Sequence, residues 1–179
     1  MARWKQYIYI LVISFCYLGG VNMAKADSVT ESELVSVLNE WVSDYVKKST
    51  LPLALLQDRA ESIDQSYAEG GELFFTASAD GLKSGRLTFP VNAELDEPGS
   101  LQLVLGPDAQ LTLAALSAKW GKFEQGVQAP GQEQSVFELR GVHFDRADYI
   151  VDIIVAVENV SGSPLVIQID VIKAGKSVQ

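Results

Sequence analysis

Apolar and polar positions alternate with a period of two along the last third of the chain. Within Tyr149–Lys173, Val151, Ile153, Val155 and Val157 alternate with Asp152, Ile154, Ala156 and Glu158. Leu165, Ile167, Ile169 and Val171 alternate in the same way with Val166, Gln168, Asp170 and Ile172. This period in β-branched residues is that of strands with one buried face. Asn159-Val160-Ser161-Gly162-Ser163-Pro164 between the runs is rich in turn formers, so the pattern predicts a long β-hairpin. The same period predicts strands at Glu72–Ala77, Arg86–Leu95, Leu101–Leu105, Gln110–Ala115 and Ser135–Arg140. Ala79-Asp80-Gly81, Asp96-Glu97-Pro98-Gly99, Gly106-Pro107-Asp108 and Ala129-Pro130-Gly131 separate them. Pro90 marks its strand as an edge or a bulge. Short strands divided by turns predict a mainly β domain, an antiparallel Greek-key β-sandwich, with a closed barrel as the alternative.

Before Glu72 the period is helical. Leu34, Leu38, Trp41 and Tyr45 recur every three or four residues, with Val35, Val42 and Val46 widening the stripe, which predicts a helix from Ser28 to Lys48. Thr30 and Glu33 have capping-box spacing, and Lys47-Lys48 suits the negative end of the helix dipole. Pro52 fits the first turn of a second helix, with Leu53, Leu56, Ala60, Ile63 and Tyr67 on one face and Gly70-Gly71 at its end. The β-sandwich is therefore predicted to follow an N-terminal α-helical hairpin. The aromatic stripe Trp41, Tyr45 and Tyr67 reads as packing.

The first residues read as a leader. Arg3 and Lys5 precede the apolar run Tyr7–Leu18, Gly19-Gly20 breaks it, and Ala24-Lys25-Ala26 has the small-x-small pattern of a cleavage site. The run is short for a membrane span of about 20 residues, which favours cleavage after Ala26 over an uncleaved anchor. The predicted organisation is thus 1–26 signal peptide, 27–71 helical segment and 72–179 β-sandwich domain, in a periplasmic or extracellular protein with no stable membrane insertion after cleavage. Cys16 would leave with the leader, and bulky Phe15 before it argues against lipid attachment. The exported chain would then hold no disulfide and no thiolate metal site.

Loss of the leader's three basic residues would take the net charge from −9 to −12. So acidic a chain, with no basic cluster beyond Lys47-Lys48, is a poor nucleic-acid binder. The charge reads first as solubilising in an extracytoplasmic space, with attraction to a basic partner protein or to cations as the sharper alternative. His143 is the only histidine, and no nucleophile elbow, zinc motif, phosphate loop or dinucleotide fingerprint is present. No catalytic, cofactor-binding or metal residue is therefore assigned, and His143 reads as a surface or structural residue. Asp145 with Asp148 and Asp96 with Glu97 read as solvated turns, and Asn159-Val160-Ser161 matches the common N-glycosylation pattern. The candidate partner-binding residues are Trp120 and Phe123, in the loop predicted for residues 119–134. Loop aromatics on a rigid β scaffold often serve recognition. The alternative is that the loop folds back and buries both.

Phe137-Glu138-Leu139-Arg140-Gly141-Val142-His143-Phe144-Asp145-Arg146, followed by Ile150-Val151-Asp152-Ile153, resembles the C-terminal domain of polyphenol oxidases and tyrosinases. There an apolar strand leads to Gly-Ile-x-Phe-Asp-Arg and then to Lys-Phe-Asp-Val, for which this chain has Ile150-Val151. The resemblance implies a β-sandwich that covers a dicopper site without the copper domain itself. It would make the protein a stand-alone shield or caddie for a separate copper oxidase. The first reading from the residues is an exported, non-enzymatic β-sandwich that binds another protein as an accessory or assembly factor. A small carboxylate-dependent hydrolase is the third.

Overall fold

The computed structural model describes residues 29–47, 52–79, 81–91, 99–127, 134–160 and 163–176. The expected leader, its cleavage after Ala26, and the Asp96-Glu97 turn lie outside these residues.

Helix α1 (Glu31–Tyr45) begins at the predicted capping box, inside the expected span 28–48. The Thr30 hydroxyl accepts from the Glu33 amide at 3.3 Å, and the Glu33 carboxylate accepts from the Thr30 amide at 2.9 Å. Each side chain thus satisfies an amide that the first turn leaves without a partner. The stripe Leu34, Leu38, Trp41, Val42 and Tyr45 is buried. Just past the helix, Lys47 pairs with Asp44 at 2.5 Å.

The second helix of the expected hairpin is only α2 (Pro52–Gln57). From Ala60 to Asp64 the chain is instead a strand, β1, antiparallel to β2 (Glu72–Ala77). Apolar spacing at Ala60, Ile63 and Tyr67 fits a helix, but β2 offers this segment a ladder of backbone hydrogen bonds, and pairing prevails over local pattern. β3 (Leu82–Thr88) and β4 (Ser100–Leu105) complete a four-stranded meander, with β3 ending before Pro90.

The strand expected at Gln110–Ala115 is also corrected. Thr112 caps helix α3 (Leu113–Trp120) by accepting from the Ala115 amide at 3.3 Å. The Ala- and Leu-rich run LAALSAKW has high helix propensity. Two-residue β5 (Glu124–Gln125), β6 (Ser135–Val142), β7 (Tyr149–Val160) and β8 (Ser163–Lys176) form a second meander, so the predicted hairpin is present as β7–β8.

The class is mainly β. The eight strands of the described residues form one antiparallel sheet in the order β1-β2-β3-β4-β8-β7-β6-β5, so two helix-led meanders meet where β4 pairs β8. The sequence pattern predicts Greek-key connections between two sheets; the observed pairing is one sheet in which each meander runs neighbour to neighbour, the chain crosses from β4 to β5 at the far edge, and β8 returns beside β4.

One alternating phase of this sheet forms the core. Leu73, Phe75, Leu87, Leu101, Leu103, Ile169, Val171, Ile153 and Val155 cluster with buried residues of α1, α2 and α3. Trp41 stacks on Phe75 with centroids 5.2 Å apart and planes 11° from parallel. Gly85 makes room for that stack, because a Cβ there would collide with the Phe75 ring and the Gln102 carbonyl.

Candidate functional site

Neither aromatic residue expected to face a partner projects outward. Phe123 is 7% exposed and belongs to the core cluster. Trp120 closes α3, half-buried, and its indole N–H donates to Asn39 Oδ1 of α1 at 3.0 Å. Its ring meets Phe144 edge-on, centroids 6.3 Å apart. Phe123 thus lies in the core, as in the burying alternative, while half-buried Trp120 ties α3 to α1.

The polar residues weighed for chemistry are scattered. His143 is exposed, and Asp145 and Arg146 form an exposed turn with Arg146 at φ 57°. Asp148 donates its amide to the Val46 carbonyl at 3.2 Å, tying the start of β7 to the end of α1. Among the described residues no three His, Cys, Asp or Glu side chains are grouped to hold a metal ion.

Burial is the leading cause of the shifts at Lys173 and Tyr45. Lys173 Nζ lies 4.4 Å from the Tyr45 ring centroid and 4.5 Å from that of Tyr149. Burial pushes the Lys173 pKa down, opposed by the charge of Asp148. The Tyr45 hydroxyl is pushed well above the ordinary phenol range by burial and then by Tyr149. This packing braces the end of α1 on β7–β8. At the other side of α1, Asp44 pairs with both Lys47 and Arg59, and the Arg59 guanidinium lies 5.5 Å over Trp41.

The arrangement suited to recognition is the other phase of the sheet. Register places Asp64, Phe74, Arg86, Gln102, Asp170, Ile154, Glu138 and Glu124 in one row across all eight strands. The row beside it runs Ser62, Thr76, Ser84, Val104, Gln168, Ala156 and Val136. Glu72, Thr88, Ser100, Ile172 and Asp152 flank it on the other side. Val104, Ile154, Ala156 and Ile172 are half-buried yet lie outside the core cluster. At the centre, Asp170 accepts from the Gln102 side-chain amide at 2.8 Å and from that of Gln168 at 2.7 Å. Toward one edge, Phe74 packs edge-on against Tyr67, centroids 5.6 Å apart, with Tyr67 58% exposed. Single exposed apolar residues are ordinary, and Ser84, Arg86 and Thr88 of β3 separate this pair from the aliphatic side chains of β4, β7 and β8.

The sequence reading missed this face. Its signal was the second phase of the alternation, in which Ile154 and Ile172 stand where a solvated strand would carry polar residues.

No family model, no curated protein and no solved structure matches the chain. Among the described residues no helix is long and apolar enough to cross a membrane.

Proposed function

We propose that this is an exported, non-enzymatic accessory or assembly factor that binds another protein through the uncovered face of its sheet. The observation that carries the reading is the asymmetry of the two phases. The helices contribute buried residues to one phase, while Val104, Ile154 and Ile172 on the other surround the Gln102–Asp170–Gln168 cluster and belong to no core. Aliphatic side chains interspersed with fixed hydrogen-bonding groups on a rigid sheet give both buried area and register to a docked surface. The predicted leader supplies the exported setting.

The test is site-specific photocrosslinking in the native source. A crosslinker at Ile154 or Val104 is expected to give one discrete protein adduct, and a crosslinker at exposed Glu40 on α1 none. Adducts equal from all three positions, or none from the sheet positions, would refute the reading.

A further inference from the structure

The face carries more about its occupant than its shape. Its three rows, with Arg140 beside them on β6, hold six carboxylates (Asp64, Glu72, Glu124, Glu138, Asp152 and Asp170) against two guanidiniums, Arg86 and Arg140. Arg140 is paired with Glu138 at 2.6 Å, and Arg86 lies 3.9 Å from Glu72. Asp64, Asp152 and Asp170 accept from uncharged donors: the Ser66 amide, the Gly141 amide and the two glutamines. The face is therefore net negative, and its complement is cationic.

We infer that the occupant is a basic protein surface that places an arginine on Asp170; this rests on the docking reading above. Asp170 sits mid-sheet between Gln102 and Ile154 and two residues from Ile172. Each of its oxygens takes one amide hydrogen bond, which fixes the carboxylate plane and leaves a further acceptor site on each. A planar fork fits two such sites at once, and a guanidinium is more weakly hydrated than an ammonium, so it suits a half-buried aliphatic setting.

A polyamine or a bare metal ion offers no planar fork for the two Asp170 oxygens, whereas an arginine of a polypeptide does.

The test uses the purified chain and three probes, nona-arginine, nona-lysine and spermine, followed through the methyl NMR signals of Val104, Ile154 and Ile172. Nona-arginine should shift these methyls saturably and bind several-fold more tightly than the other two. Asp170→Asn, which keeps the shape, should weaken nona-arginine about tenfold, the scale of one charge-assisted hydrogen bond. Glu40→Gln, the same charge change on α1, should change it less than twofold. Shifts spread evenly over the molecule, equal effects of the two variants, or spermine binding as well as nona-arginine would overturn the inference. The wild-type methyl map and the ranking of probes decide the matter even if Asp170→Asn does not fold. A discrete adduct from Ile154 whose crosslinked peptide lacks arginine would also overturn it, while leaving the docking function standing. Loss of that adduct altogether would remove both.

Discussion

If Trp120 is a fastening residue, its indole N–H and Asn39 must be energetically coupled. The two sit 81 residues apart in sequence and 3.0 Å apart in space, joining α3 to α1. Trp120→Phe removes the donor while keeping an aromatic ring against Phe144. The lost hydrogen bond is worth about 1 kcal/mol, and the smaller ring costs a further fraction because the site is only half-buried. Asn39→Ala removes the acceptor, and alanine's better helix propensity offsets roughly 0.5 kcal/mol of that loss. The double variant cancels this offset and isolates the pair, with an expected coupling of about 1 kcal/mol. Urea denaturation followed by far-ultraviolet circular dichroism measures it without relying on the altered fluorophore. Each single variant should lower the melting temperature by roughly 2–4 °C per kcal/mol for a chain of this size. Additive effects, with Trp120→Phe as stable as the parent, would show that the indole is not tied down and would return Trp120 to the candidates for docking.

Three further outcomes follow from the packing. Burial raises the Asp44 pKa, but hydrogen bonds and charge from Lys47 and Arg59 outweigh it and hold the carboxyl below its ordinary value. Its contribution is therefore present above the unfolded carboxyl value near pH 4 and lost as the pH falls through the folded one. Asp44→Asn should cost about 1 kcal/mol at neutral pH, with the difference from the parent vanishing in acid; a difference that persists at pH 2 would contradict this. Lys173 has a lowered pKa, so the folded protein releases that proton first and the parent should gain stability relative to Lys173→Met as the pH approaches 10.5 from below. Parallel curves in urea unfolding over that range would refute the burial of the amine. Gly85→Ala should destabilise by roughly 1–3 kcal/mol through overpacking against Phe75 and the Gln102 carbonyl, and a neutral result in thermal melts would deny the close approach.

Local signals in the sequence translated directly into structure. Thr30 and Glu33 close the capping box, and the alternation from Tyr149 onward forms β7 and β8. Where two patterns overlap, the reading went astray. Leu111 and Leu113 fit a strand, yet Thr112 caps a helix between them and Leu116, buried one turn on, completes its inner face. Ala60 and Ile63 fit a helix, yet β2 captures them as a strand. Contacts between distant segments leave no local mark: nothing near Gln102 announces Asp170, 68 residues later, and nothing near Trp120 announces Asn39. The second face of the sheet was half legible for this reason. Its residues are visible in the alternation, but their juxtaposition depends on the β4–β8 register.

The position of β8 has a consequence for synthesis. It comes after every other strand in the chain, yet it lies fifth in the order and is flanked by β4 and β7. Each meander closes through neighbours, but Ser100–Val104 must wait for residues emerging some seventy positions later. Until then β4 and β7 offer bare edges to any passing strand. A product ending early would therefore be two ribbons without a seam, a substrate for proteases and not a weakened version of the whole.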